Sequence, residues 1–273
     1  MERKEDPLII GGARLRGRLF VGTGKYGDDA LVGPVARAAG AEVVTVAVRR
    51  VDLSGPRAAG SILERIPPGT RLLPNTSGAR TAEEAIRIAR LAREAGCGDW
   101  VKIEVISDAR RLLPDGYATA RATEALAREG FTVLPYLNPD LYVARDLASA
   151  GAAALMPLGA PIGSNRGLRT AEMISVLIAE FDLPVIVDAG LGRPSDACQA
   201  MEMGAAACLA NTAIATASDP VAMAAAFGKA VDAGRQGFLA GLGRTLEGGA
   251  EASSPLLGAM GMDGETLTGF LTP

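Results

Sequence analysis

The chain has 273 residues, 48% of them hydrophobic and 22% charged, with a net charge of -3; this is length enough for one large core and near the roughly 250 residues typical of a single β/α barrel. So small a net charge offers no electrostatic case for a nucleic-acid partner. The complete absence of histidine removes the commonest general base, the Ser/His/Asp triad and most transition-metal sites, leaving acid-base chemistry to Lys, Asp, Glu, Tyr or Cys.

The first apolar run, residues 8–10, is too short for a signal h-region or a membrane span, so neither export nor membrane association is expected. Short apolar segments then recur at 19–22, 43–48, 71–74, 100–106, 131–136, 153–157, 185–188 and 207–211, eight candidate strands. Between them lie Ala-, Arg-, Glu- and Leu-rich stretches at helical period, among them 81–95, 118–129, 140–150, 168–180 and 195–203. Gly40, Gly96, Gly130, Gly151 and Gly204 each close a helix-like segment ahead of a strand, where glycine supplies the left-handed residue that stops a helix. Eight such repeats predict an α/β fold closed as a (β/α)8 TIM barrel over residues 1–235. Residues 236–273 fall outside the repeat and are glycine-rich, which predicts a partly mobile C-terminal tail. Cys97, Cys198 and Cys208 fall in no paired spacing, so no disulfide framework or zinc site is expected and a cytoplasmic location fits.

Candidate chemistry is concentrated on the fourth strand. Val101, Ile103 and Val105 alternate with Trp100, Lys102, Glu104 and Ile106, and side chains along a strand point alternately to opposite faces. The β-branched set suits the helix-covered outside. Lys102 and Glu104 then point into the barrel, about 7 Å apart along the strand, where charge is costly unless paired or used. A structural ion pair is one reading. The other is imine chemistry, which needs a lysine that is neutral part of the time; burial, or protonation of Glu104, would have to outweigh the attraction of an ionised Glu104. Asp188 ends the seventh strand and is followed at once by glycines, which puts an acid either at the catalytic mouth of a barrel or at the cap of the next helix. Turns at 159–164, 189–192 and 211–212 offer clustered backbone N–H groups to a phosphate.

Together the stretches GTGKY at 22–26, VVTVAVRR at 43–50, LPNT at 73–76, RTAEE at 80–84, WVKIEVI at 100–106, LLPD at 112–115, MPLGAPIGS at 156–164, VDAGLG at 187–192 and NTAIA at 211–215 make the chain similar to bacterial thiazole synthase, the ThiG type, over nearly its full length. That resemblance implies synthesis of the thiazole phosphate half of thiamin from 1-deoxy-D-xylulose 5-phosphate, dehydroglycine and the C-terminal thiocarboxylate of a small sulfur-carrier protein, with no organic cofactor or metal and with a homo-oligomeric assembly. It assigns Lys102 to an imine with the substrate ketone and Glu104 and Asp188 to proton movement. Gly163, Ala189, Gly190, Asn211 and Thr212 match its substrate-binding positions. Two rivals stand beside this reading: a non-catalytic sugar-phosphate-binding barrel, and another imine-forming sugar-phosphate enzyme.

Overall fold

The computed structural model describes residues 6–50, 61–108 and 110–244. A small hairpin, β1 (Leu8–Ile10) and β2 (Ala13–Leu15), comes first, followed by β3 (Leu19–Gly22), α1 (Val32–Ala38), β4 (Val43–Ala47), β5 (Arg71–Asn75), α2 (Ala82–Glu94), β6 (Trp100–Ile103) and α3 (Gly116–Arg128). Beyond these lie β7 (Thr132–Leu137), α4 (Leu141–Ser149), β8 (Met156–Pro157), α5 (Ala171–Glu180), β9 (Ile186–Asp188), α6 (Pro194–Glu202), β10 (Ala207–Ala210), α7 (Thr212–Ala215) and α8 (Pro220–Ala240). The strands β3 to β10 are those expected from the apolar segments.

They pair in parallel in the order β8-β7-β6-β5-β4-β3-β10-β9. Bridges Leu155↔Val185 and Leu158↔Asp188 join β8 to β9 and close the ring. Helix signals in the sequence act where they stand: Thr81, Asp115, Asp140 and Asp219 each accept a hydrogen bond from a backbone N–H in the first turn of α2, α3, α4 and α8, satisfying donors that otherwise have no partner. Ala82, Ala85, Ala89 and Ala92 give α2 a buried stripe, small enough for the helix to lie close on the sheet. The five expected stop glycines all take the left-handed conformation, with φ from 62° to 98°.

The two faces of each strand bury against different partners. Val101, Ile103, Val105 and Val133 pack outward with α2 and α3 residues such as Ala85, Ala89, Ala122 and Leu126, which fits the phase read for the fourth strand. Inward residues Phe20, Val43, Leu73, Trp100, Leu134, Met156, Ile186 and Leu209 form a separate cluster inside the barrel, and each large side chain so buried stabilises the fold by about 1.5–3 kcal/mol. Leu8, Ile10 and Leu15 of the hairpin join this cluster, so β1 and β2 plug the N-terminal end of the barrel. The hairpin was not anticipated, because three-residue strands leave too short an alternation to read; the Gly11-Gly12 turn between them is its one sequence sign.

Helix α8 continues past the expected boundary at 235, and Phe238 in its last turns packs where any side chain on Gly204 would have to stand. The chain divides after Gly241 into a barrel unit and the segment 242–273. Residues 245–273, on which the expectation of a mobile tail chiefly rests, lie outside the described residues. No helix among the described residues is long and apolar enough to cross a membrane.

Candidate active site

Two residues beyond the apolar inward layer, the strands change character. Phe20 gives way to Gly22, Val43 to Thr45, Leu73 to Asn75, Trp100 to Lys102, Leu134 to Tyr136, Ile186 to Asp188 and Leu209 to Asn211. The period of two that fills the lower barrel with carbon therefore floors the upper end with polar groups. Above that floor opens a cavity of about 700 Å³. All eight residues singled out from sequence, Lys102, Glu104, Asp188, Gly163, Ala189, Gly190, Asn211 and Thr212, line it.

Lys102 Nζ lies 2.5 Å from Asp188 Oδ2 and 2.9 Å from Glu104 Oε1, with all three side chains less than a tenth exposed. Strand β6 itself ends at Ile103, one residue short of Glu104. Thr76 captures the chain there: its hydroxyl donates to the Glu104 carbonyl and accepts from the Glu104 N–H, both at 2.8 Å, and the carboxylate swings back onto the lysine. Asp188 reaches the same ammonium from β9, and capping of α6 falls instead to Asp196, which accepts from the N–H groups of Gly192 and Arg193 at 2.8 Å.

Burial acts to lower the Lys102 pKa, but the charges and hydrogen bonds of Asp188 and Glu104 outweigh it and hold the ammonium above its usual range. Desolvation alone therefore does not outweigh the carboxylates. Burial instead pushes Asp188 upward, against the pull of Lys102. One lysine between two buried carboxylates leaves an excess of negative charge, and Asp188 is the group on which a proton is cheapest to place. Tyr136, fully buried on β7, lies 5.3 Å below Lys102 Nζ, ring centroid to nitrogen. Burial, followed by the two carboxylates, raises its pKa, so it remains a neutral phenol, and its hydroxyl has no hydrogen-bond partner.

The loops beyond β8, β9 and β10 converge on another corner of the cavity. Ala189 and Gly190 both have left-handed backbone, with φ of 61° and 78°; a Cβ on Gly190 would stand 2.5 Å from the Ala160 nitrogen, so no other residue fits. The N–H groups of Gly163 and Gly190 donate to no other group among the described residues. The Asn211 side-chain oxygen is buried without a partner. Lys25, from the loop after β3, brings Nζ to 2.6 Å from the position a Gly163 Cβ would occupy, with Thr212 Oγ1 at 3.9 Å from the same point. Among the described residues, the four non-glycine residues of positive φ, Lys25, Leu112, Asn165 and Ala189, all line this cavity, so backbone strain of about 1–3 kcal/mol each is concentrated at the mouth.

Lys25, Thr45, Asn75 and Tyr136 were not singled out from sequence. Thr45, Asn75 and Tyr136 carry the same signal as Lys102, a polar residue at the inward phase of an apolar strand. Thr45 and Asn75 are tied together through Asn75 Nδ2 to Thr45 Oγ1 at 3.1 Å.

Comparison with known proteins gives the family. Residues 9–255 match the family described as Thiazole biosynthesis protein ThiG. The chain belongs to that family. It is 73% identical over 253 residues to the thiazole synthase of Oleidesulfovibrio alaskensis, covering 93% of this chain and 95% of that one. Against the thiazole synthase of Moorella thermoacetica the identity is 66%, covering 93% and 98%. Among solved structures, the Amycolatopsis orientalis BexX/CysO complex superposes with a TM-score of 0.77 at 35% identity, over 89% of this chain and 99% of that one.

Proposed function

We propose that this member of the thiazole synthase family joins 1-deoxy-D-xylulose 5-phosphate, dehydroglycine and the sulfur of a carrier-protein thiocarboxylate into thiazole phosphate, through an imine on Lys102. The observation that carries the reading is Lys102 buried between Glu104 and Asp188 on the floor of the mouth. The phosphate occupies the corner formed by the Gly163 and Gly190 N–H groups, Ala189, Asn211 and Thr212, with the Lys25 ammonium as counter-charge. Seated there, the sugar extends its ketone toward Lys102.

In the free enzyme the lysine is protonated and cannot attack. Its proton passes to Asp188, whose pKa burial has already raised, and the neutral amine adds to the ketone carbon. The same proton then leaves with the hydroxyl of the carbinolamine as water, and the imine forms with its charge set against two carboxylates. Glu104 shuttles the proton from the neighbouring carbon during the isomerisation that follows. Tyr136 beneath the nitrogen keeps water from the lower face.

A protein partner is supported by the 35% identical relative, whose structure is a complex with a second protein, CysO. The exposed pair Met173 and Val176 on one face of α5 supports contact between copies of the chain in a homo-oligomer. Cys97, Cys198 and Cys208 are free thiols, in keeping with a cytoplasmic enzyme. The test is to mix the protein with 1-deoxy-D-xylulose 5-phosphate, reduce with borohydride, digest and locate the modified residue by mass spectrometry. Modification at Lys102 supports the reading; a scaffold barrel forms no adduct, and an aldolase turns over glycolytic ketones and aldehydes in its place.

A further inference from the structure

The polar groups of the mouth form two separate walls. One is the phosphate corner after β8, β9 and β10 with Lys25. The other, across the mouth, is made by the loops after β4 and β5, where Arg49, Ser77, Gly78 and Arg80 line the same cavity. Arg49 Nη1 lies 4.0 Å from the position of a Cβ on Gly78, and Arg80 Nη2 reaches only the Ser107 carbonyl, at 3.5 Å. No described carboxylate pairs with either guanidinium. Both arginines are exposed at the rim, open to a group arriving from outside.

The cavity has room for a second occupant. A sugar phosphate of about thirteen non-hydrogen atoms, at no more than the roughly 30 Å³ of a water molecule in the liquid for each, fills about 400 Å³, well short of the cavity's 700 Å³. With the phosphate held at Gly163 and Gly190 and the ketone at Lys102, the remaining space faces Arg49 and Arg80. Guanidinium groups pair with carboxylates in a planar, two-pronged geometry that an ammonium does not offer.

We infer that Arg49 and Arg80 form a second anion subsite, which receives a carboxylate or thiocarboxylate co-substrate and holds it beside the Lys102 adduct. This rests on the proposed function, because both remaining reactants, dehydroglycine and the carrier's thiocarboxylate terminus, bear such a group. The subsite accounts for two like-charged side chains left unpaired on one wall of a reaction cavity, where phosphate already has its own seat.

The experiment compares the full-length protein with Arg49→Gln, Arg80→Gln and the double variant. Adduct formation with the sugar phosphate is followed by borohydride trapping. Initial rates of thiazole phosphate formation are measured first with dehydroglycine varied at saturating carrier, then with carrier thiocarboxylate varied at saturating dehydroglycine. The double variant is expected to raise the KM for one of these two about tenfold or more, the loss of one charge-assisted pair, while kcat at saturation and the KM for the sugar phosphate move less than about threefold. The arm that responds identifies which co-substrate uses the subsite. Lysine at both positions restores part of the loss. In a readout that needs no turnover, saturation-transfer NMR detects the simple carboxylate N-acetylglycine on the unaltered protein and not on the double variant. Unchanged KM in both arms overturns the inference, and so does a parallel loss of adduct formation, which would assign the arginines to the sugar-phosphate seat. If the unaltered protein forms no Lys102 adduct, the proposed imine fails instead, and the NMR arm alone decides the subsite.

Discussion

Each end of the barrel holds one buried-side ion cluster, and the two are built on opposite principles. At the mouth, one cation, Lys102, stands between two acids, and all three are almost fully withdrawn from water. At the N-terminal end, one acid, Asp6, stands between two cations: Arg18 Nη2 at 2.9 Å and Arg235, whose Nε and Nη2 both reach the carboxylate at 2.7 Å. There the Asp6 side chain is 27% exposed, and Arg18 also donates to the carbonyls of Asp6 and Ala206. The lower cluster has its hydrogen bonds satisfied and lies below the carbon-filled layer. The upper cluster has an excess buried charge, a buried phenol without a partner and strained loops around it. A protein tolerates such an arrangement where the strain serves chemistry; the contrast separates a clamp from a reaction centre without reference to any relative.

The largest effect that would break this contrast is at Lys102. Lys102→Ala is expected to abolish the reducible adduct and to lower thiazole phosphate formation on the order of 10⁴-fold or more, with the fold intact by circular dichroism. An adduct surviving in that variant would move the chemistry elsewhere. Next comes Asp188→Asn, with a loss in the rate of adduct formation of about 10²- to 10⁴-fold. The pH dependence has a defined sign. Asp188 accepts a proton only when ionised, and burial has raised its pKa, so the adduct rate of the unaltered enzyme climbs as pH rises through that value. Lys102, held above its ordinary 10.5 by the carboxylates, adds no plateau below that pH. Removing Asp188 should erase the acid limb as well as the rate; a limb that survives in Asp188→Asn would sink the assignment of the proton acceptor to Asp188.

Much of this was legible in the sequence because strand phase is a strong signal: an inward Lys102 on WVKIEVI and the acid of VDAGLG at the end of its strand follow from alternation and barrel polarity alone. What alternation does not carry is where a strand stops. The path of the chain after Ile103 is held by Thr76, a neighbour in space and remote in sequence. The sign of the Lys102 shift was left open for a related reason, since it depends also on Asp188 arriving from another strand. The N-terminal hairpin escaped because its strands are shorter than one full alternation.

At the carbon-filled layer the expectation reverses: large loss of stability, little loss of chemistry. Phe20→Ala removes a fully buried ring among the inward residues and should cost about 3–5 kcal/mol in denaturant unfolding. The folded fraction should still trap the sugar phosphate at close to the unaltered rate, since Phe20 lies one layer below the polar floor. A selective loss of adduct formation at unchanged stability would mean that the two layers are not separable.

The smallest expected effect is at the lower ion cluster. The Arg235 hydrogen bond is the leading cause of the lowered Asp6 pKa, with burial opposing it and the charges of Arg18 and Arg235 adding to it. A carboxylate whose folded pKa lies below its ordinary 3.8 contributes stability that is present above that value and is lost as pH falls through the folded pKa. Asp6→Asn should therefore lower the unfolding free energy at pH 7 by about 1 kcal/mol or less, because the pair is open to water and salt. The gap between variant and unaltered protein should narrow as pH falls below 3.8 and shrink in high salt, with adduct formation at Lys102 unaffected throughout. A cost at pH 7 as large as that of Phe20→Ala, or one that persists undiminished at low pH, would show that Asp6 acts through the backbone geometry around Arg18 and not through its charge, and the two ends of the barrel would then differ less than their charge counts suggest.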